Sequence, residues 1–157
     1  MKKTIISFFF LALCIALRYD TAKAQEAMPV LNHIALSVRN LEKSTVFYRD
    51  VLQLDTIPEP FQDGKHTWFQ IGPHSQLHLI EGTEVAGQHH MATHLCFSVP
   101  TITDFIERLN HFNIPFVNWQ GEKQQFNVRV DGVKQLYLQD PNGYWIEIND
   151  EYGKGRL

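Results

Sequence analysis

Cysteine is scarce in this chain of 157 residues, which contains only Cys14 and Cys96. Cys14 lies in an apolar N-terminal stretch, so a chain that loses this stretch keeps Cys96 alone. A single cysteine cannot form an internal disulfide, and such a domain must rely on its core or on a bound metal for stability. Because Leu95 and Phe97 flank Cys96 in an apolar segment, we interpret this thiol as a packing group.

The chain also has no apolar run near its N-terminus that is long enough to cross a membrane. The run at residues 5–17 has 13 residues, whereas a spanning helix needs about 20. Lys2 and Lys3 precede the run, and Ala22-Lys23-Ala24 supplies the small residues of a cleavage site. The pattern predicts a signal peptide at 1–24 and an exported chain, 25–157, in the periplasm or outside the cell, with no stable membrane insertion. An uncleaved N-terminal anchor is the alternative.

The chain also has fewer basic than acidic residues. The predicted signal peptide holds four of the 14 basic residues and one of the 17 acidic residues, so 25–157 keeps 10 and 16, a net charge of −6 with neutral histidines. No basic stripe remains along the chain. We therefore expect no nucleic-acid partner and no binding to an anionic membrane surface.

A short sequence motif occurs twice in the chain. His33-Ile-Ala-Leu-Ser-Val and His94-Leu-Cys-Phe-Ser-Val begin 61 residues apart, and each opens on a histidine. The repeat predicts two copies of one small structural unit. Each copy would supply an imidazole, the commonest metal ligand among protein side chains.

The elements around the repeat suggest two tandem βαβββ modules in one α+β domain. Asn40 and Thr101 are suited to cap a helix in each module. Module one covers 30–81 and is joined by a linker, 82–92, to module two, 93–150, with a tail at 151–157. Alternating apolar residues and turn signals predict strands at 30–38, 54–57, 67–71, 76–80, 94–99, 115–119, 135–139 and 144–148.

The two modules differ in length near their ends. From His78 to Glu147 is 69 residues, against 61 between the paired histidines, so module two carries eight extra residues. The surplus falls around Gly121–Val130. It forms either a loop facing a substrate or a plain solvent loop.

Strand alternation predicts which side chains share a face. The closing strand of each module sets one ligand-type residue, His78 or Glu147, among apolar neighbours. A charged Glu147 in such surroundings is costly unless it is paired or bound to a cation. Together with His33 and His94, these residues form a set of three imidazoles and one carboxylate, which suits Zn, Ni, Co, Fe or Mn far better than Mg or Ca.

A hydrogen-bonded structural role is the alternative for any one of these histidines. We interpret the other histidines as solvated, with His89 and His90 as candidates for the rim of a pocket.

The chain resembles the vicinal-oxygen-chelate superfamily, which includes glyoxalases, bleomycin-resistance proteins and extradiol dioxygenases. The resemblance covers about 30–150. It rests on Leu31-Asn32-His33-Ile34-Ala35-Leu36-Ser37-Val38, Phe47-Tyr48-Arg49-Asp50-Val51-Leu52 and Asp140-Pro141-Asn142-Gly143-Tyr144-Trp145-Ile146-Glu147-Ile148. It implies paired βαβββ modules forming a cupped, partly open β-barrel around one divalent metal, a small-molecule substrate, and a homodimer. By position, His33, His78, His94 and Glu147 are the metal ligands.

The resemblance also implies a reaction class. Glyoxalase I-like lyases and epimerases use four protein ligands, whereas extradiol dioxygenases and fosfomycin-modifying thiol transferases use three, equivalent to His33, His94 and Glu147. A ligand-type residue at His78 favours a lyase or isomerase with Zn, Ni or Co, working through an enediolate. Glu147 is the candidate catalytic base, with His78 as the alternative.

Three other functions stay open at this point. They are an Fe or Mn dioxygenase, a binding protein that sequesters a metal or a drug-like ligand, and a thiol transferase.

Overall fold

The computed structural model describes residues 28–82, 87 and 89–153. The predicted signal peptide, residues 83–86 and 88 of the predicted linker, and residues 154–157 of the tail lie outside the described residues. Within the described ranges, no helix is long and apolar enough to cross a membrane.

Module one has the predicted order of elements. Its elements are β1 (His33–Val38), α1 (Leu41–Val46), a π-helical turn (Phe47–Val51), β2 (Thr56–Ile57), β3 (His66–Gly72) and β4 (Ser75–Glu81). The Asn40 side chain caps α1 by accepting a hydrogen bond from Lys43 N at 2.7 Å, as predicted. The helix was not expected to widen into a π-turn, which carries the buried side chains of Phe47, Tyr48 and Val51.

Module two repeats this order with one addition. Its elements are β5 (His94–Ser98), α2 (Ile102–His111), β6 (Phe116–Val117), β7 (Asn127–Val128), β8 (Lys134–Gln139) and β9 (Trp145–Asn149). Thr101 caps α2 by accepting from Asp104 N at 3.2 Å. The eight-residue surplus is not only a loop, because it contains β7, which pairs with β8.

Each module forms a mixed sheet in which the first and last strands are parallel neighbours. The strand orders are β1-β4-β3-β2 and β5-β9-β8-β6, with β7 also paired to β8. This pairing puts Ala35 opposite His78 and Cys96 opposite Glu147. The α+β class is thus confirmed, with one sheet of four strands and one of five that do not close into a barrel.

The two sheets share one hydrophobic core. Its buried members come from both modules, including the π-helical turn and α2: Leu36, Val38, Phe47, Tyr48, Val51, Phe69, Leu77, Leu79, Ile102, Phe105, Leu109, Phe116, Leu136, Leu138, Ile146 and Ile148. Because strand residues alternate, the histidine-bearing face of each sheet lies on the side away from this core. Ala35, Cys96 and Ser98 on those faces are accordingly exposed.

The turn between β8 and β9 fastens the modules together. Asn142 accepts a hydrogen bond from Arg39 N at 3.0 Å and donates to Ser44 Oγ at 3.0 Å. Tyr48 donates to the Asp140 carboxylate at 3.1 Å from the other module. Gly143 has φ of 90°, a left-handed conformation that glycine adopts without steric cost.

Candidate metal centre

The first pair of predicted ligands lies on module one. The rings of His33 and His78 stack at a centroid distance of 4.4 Å with 8° between their planes. His33 Nδ1 lies 2.7 Å from Asn32 Oδ1, an acceptor, so Nδ1 carries the ring proton and Nε2 is left as an electron-pair donor. We call His33 and His78 the module-one pair.

The environment of His78 is more constrained. Its other ring face stacks on Trp68 at 3.9 Å, and its Nε2 lies 2.8 Å from Gln76 Oε1. Burial, reinforced by the nearby His33 and His66, holds the pKa of His78 below its ordinary value. The ring is therefore neutral at pH 7, the form in which imidazole binds metals. The Gln76 contact leaves Nδ1 as the nitrogen able to do so.

The second pair lies on module two. His94 Nε2 is 3.3 Å from Glu147 Oε2. His94 Nδ1 is 2.8 Å from the Met91 carbonyl oxygen, which can only accept, so Nδ1 carries the ring proton. We call His94 and Glu147 the module-two pair.

The module-two pair fits a bound cation. With its proton on Nδ1, a neutral His94 turns the lone pair of Nε2 towards a carboxylate oxygen. Two acceptors at this separation require either a second proton on the ring or a cation beside both atoms. A carbonyl bond to the remote nitrogen is also the usual support for a metal-binding histidine. Imidazole and carboxylate donors together suit a divalent transition metal.

The Glu147 carboxylate has three further partners. Tyr137 donates to Oε2 at 2.7 Å, and Asn149 donates to Oε1 at 3.1 Å. The Cys96 thiol lies 3.4 Å from Oε1. Burial and the bond to Glu147 raise the pKa of Tyr137, so its hydroxyl stays protonated and remains a donor.

The structure brings the four predicted ligands together only as two pairs. Within residues 28–82, 87 and 89–153, no group of three or more His, Cys, Asp and Glu side chains lies close enough to hold one metal ion. The reason is the shared core, which turns both ligand-bearing faces outwards. One module of a single chain therefore offers two ligand candidates and not four.

A cavity of 260 Å³ is lined in part by Tyr137, whose hydroxyl bonds Glu147 of the module-two pair. Tyr137 and Trp145 line it from the sheet, and the inserted segment contributes Lys123 and Gln124. Part of the inserted segment therefore lines a cavity, and a loop that faces a substrate stays a prediction.

Some interpretations of single residues were wrong. Cys96 is not a packing group, because it is exposed on the polar face beside Glu147. His66 was interpreted as solvated, but it is half-buried at the start of β3 and its ring bonds Asp63 at 2.9 Å. The interpretation of His89 as a residue at the rim of a pocket fits the structure, since His89 is half-buried, stacks on Tyr144 at 4.3 Å and lines a cavity with Asn142 and Trp145.

The residues that surround Glu147 escaped prediction. Tyr137, Gln135 and Asn149 are not among the predicted ligands or catalytic residues. Alternation along β9 puts Asn149 on the face of Glu147, and the register of β8 on β9 adds Gln135 and Tyr137 to that face.

The fold and the two pairs define a class of protein. This chain consists of two repeated βαβββ modules, with two histidines on one sheet and a histidine and a carboxylate on the other. The family model described as Glyoxalase/Bleomycin resistance protein/Dioxygenase superfamily matches residues 30–148. The chain belongs to this superfamily, which confirms the resemblance found in its motifs.

Relatives with different reactions match it about equally. A lactoylglutathione lyase of Pseudomonas putida is 28% identical over 82% of this chain and 90% of its own. The metallothiol transferase FosB of Staphylococcus epidermidis strain ATCC 12228 is 27% identical over 81% of this chain and 85% of its own. Sequence identity therefore does not choose between these reactions.

Solved structures agree on the fold. The fosfomycin resistance protein FosX of Listeria monocytogenes has a TM-score of 0.65 at 20% identity, covering 83% of this chain and 100% of that chain. The lactoylglutathione lyase of Agrobacterium tumefaciens has a TM-score of 0.59 at 21% identity, covering 82% and 96%. At these identities the likeness shows the fold alone.

Proposed function

We propose that this protein is a divalent-metal-dependent lyase or isomerase of the glyoxalase I type. Its substrate is a small molecule with two neighbouring oxygens. The observation that carries the proposal is the contact between His94 Nε2 and Glu147 Oε2 at 3.3 Å, which brings together an imidazole nitrogen and a carboxylate oxygen, two donor types that suit a divalent transition metal. The lactoylglutathione lyases among the relatives support the reaction class.

The metal is held by His33, His78, His94 and Glu147 in this proposal. Bound there, a divalent metal polarises substrate oxygens as a Lewis acid. The tautomers of His33 and His94 leave Nε2 as the donor in both, so the two modules offer equivalent atoms. For His78, the Gln76 contact must open or Nδ1 must serve.

A second copy of the chain completes the centre. Each chain presents one pair on each of two outward faces, and neither face alone has four ligands. In a homodimer with two-fold symmetry, the module-one pair of one chain meets the module-two pair of its partner, and the reverse contact forms at the same time. Two equivalent centres result, and the exposed polar faces become buried.

Glu147 is the proposed catalytic base. It takes a proton from the carbon next to the substrate carbonyl, which leaves an enediolate, and it returns that proton to the neighbouring carbon. No atom is gained or lost in this isomerisation. General-base catalysis of this kind typically contributes about 10²–10⁴-fold. The cavity beside Tyr137 and Trp145 gives the rest of the substrate a place next to this carboxylate.

An Fe or Mn dioxygenase is the second candidate. The specific observation in its favour is His78, whose Nε2 is taken up by Gln76 and whose faces are both stacked. His33, His94 and Glu147 would then hold the metal as a facial triad. Consumption of oxygen with catechol-like substrates separates this function from a lyase.

Metal analysis of residues 25–157 tests the proposal. The wild type is compared with Glu147→Gln and His78→Ala, and Glu107→Gln on the exposed side of α2 is the control. We expect bound Zn, Ni or Co, weakened in His78→Ala, and an isomerase activity that falls by about 10²-fold or more in Glu147→Gln. Glu107→Gln should match the wild type. Activity that survives in Glu147→Gln within a factor of a few contradicts the assignment of the base, and iron retained in His78→Ala favours the dioxygenase.

A further inference from the structure

The hydroxyl of Tyr137 belongs to a buried chain of hydrogen bonds that crosses two strands. Gln135 and Tyr137 lie on β8 directly opposite Asn149 and Glu147 on β9. Gln135 Nε2 donates to the Tyr137 oxygen at 2.9 Å, and Tyr137 donates to Glu147 Oε2 at 2.7 Å. All four residues are at least nine-tenths buried.

The direction of these bonds is fixed by the groups that make them. An amide NH₂ only donates, so the Tyr137 oxygen accepts from Gln135. The single hydroxyl proton is then directed to Glu147 Oε2, and Asn149 Nδ2 occupies Oε1 at 3.1 Å. Both carboxylate oxygens are held, and the Oε2 held by Tyr137 is the one that faces His94.

At the equivalent position of module one, no hydroxyl in the described part of the chain donates to the ligand candidate. Trp68 lies opposite His78 as Tyr137 lies opposite Glu147. Trp68 stacks on His78, and its indole Nε1 is buried with no hydrogen-bond partner among the described residues. Of the two equivalent ligand candidates, Glu147 therefore accepts a hydrogen bond from a neighbouring hydroxyl and His78 does not.

We propose that Tyr137, oriented by Gln135, is a positioning residue for Glu147. It holds the carboxylate in the plane and direction that His94 Nε2 requires. The inference deepens the proposed function and rests on it for the metal readout below. Tyr137 acts through Glu147, and it needs no contact with substrate.

The first test compares Tyr137→Phe with Tyr144→Phe. Tyr144 is a matched control because it is a tyrosine of module two whose hydroxyl also donates one hydrogen bond, in this case to the Ser37 carbonyl oxygen of module one at 3.2 Å. Binding of Zn²⁺ and of Ni²⁺ to metal-free 25–157 is measured by competition with a coloured chelator. We expect Tyr137→Phe to bind each metal about 10–100-fold more weakly, the usual effect of losing a group that supports a ligand. Tyr144→Phe should bind as the wild type does.

Tyr137→Phe binding each metal as tightly as the wild type overturns the inference. An equal loss in both variants also overturns it, because it assigns the effect to general loosening of the module.

The second test needs no metal. The free energy of unfolding is measured for metal-free variants in two double-mutant cycles. One cycle consists of the wild type, Tyr137→Phe, Glu147→Gln and the double variant. The other replaces Tyr137→Phe by Tyr144→Phe. Direct contact predicts that the Tyr137 cycle departs from additivity by about twofold or more in the unfolding constant, while the Tyr144 cycle is additive. An additive Tyr137 cycle overturns the inference. If the wild type binds no metal, the proposed metal centre fails, and this cycle alone decides the role of Tyr137.

Discussion

At the scale of single residues, the burial of Glu147 is explained by its partners. The side chain is 7% exposed, and an unpaired charge at that depth is strongly unfavourable. Donors from Tyr137 and Asn149 satisfy the two carboxylate oxygens, and His94 lies against one of them. The sequence predicted that Glu147 needs a partner, because apolar residues flank it on β9. It could not say which partner, because the register of β8 on β9 decides that.

Cys96 gives a prediction at this scale. Partial burial of the sulfur and the neighbouring Glu147 carboxylate raise the pKa of Cys96 to about 12. The thiolate is the reactive form. We therefore expect metal-free 25–157 at pH 8 to react with iodoacetamide about 10²–10³-fold more slowly than free cysteine, although the residue is exposed.

Glu147→Gln should accelerate this alkylation, because removal of a negative charge lowers the pKa of the thiol. Glu107→Gln, far from the thiol along the chain, is the control and should leave the rate unchanged. A wild-type rate close to that of free cysteine would contradict the electrostatic description of this face.

At the scale of elements, the turn that carries Asp140 and Asn142 connects the modules. The Asn142 side chain bonds Arg39 N, Ser44 Oγ and Asp140 Oδ2 while buried. The Asp140 carboxylate accepts from Tyr48, and burial together with this carboxylate raises the pKa of Tyr48, so the phenol remains a donor. This stretch carries part of the resemblance to the superfamily, and in the structure its side chains form hydrogen bonds between the two modules.

Asn142→Ala should lower the free energy of unfolding by about 2–3 kcal/mol, since it removes several hydrogen bonds and leaves buried partners unsatisfied. Urea unfolding followed by circular dichroism measures the change. Gln125→Ala on the exposed insert is the control and should change the stability by less than about 0.5 kcal/mol. A change of that small size in Asn142→Ala would show that the turn does not hold the modules together.

Most elements could be predicted from local patterns, and the exceptions have physical reasons. Asn40 and Thr101 indicated the starts of both helices, because each side chain accepts a hydrogen bond from a backbone N–H only three residues further on. The π-turn at Phe47–Val51 buries Tyr48, whose hydroxyl bonds Asp140 of the other module, a long-range contact that no local pattern encodes. Strand β7 is only two residues long, too short for alternation to be visible.

At the scale of the whole molecule, the sequence indicated the four ligand candidates but not their distribution. Alternation fixes which residues share a face within a strand. It does not fix which face of module two lies against module one. That choice is made by the apolar side chains of both sheets, which meet in one core and leave the two ligand pairs facing outwards.

Export of the chain stays a prediction, and we propose that the protein acts outside the cytoplasm. The intact mass of the protein purified from its native host tests this. The expected mass corresponds to a chain that begins at Gln25, because Ala22 and Ala24 mark the cleavage site. A chain that still carries Met1 would contradict export by cleavage.

The most direct test of the shared metal centre is a mixed dimer. Chains with His33→Ala and chains with Glu147→Ala carry different tags, are co-expressed, and the doubly tagged species is analysed for metal. If the centre joins the module-one pair of one chain to the module-two pair of its partner, one centre in the mixed dimer keeps every ligand. We expect about one metal ion per mixed dimer and none in either parent variant. A mixed dimer as empty as its parents, beside a metal-loaded wild type, would contradict the shared centre.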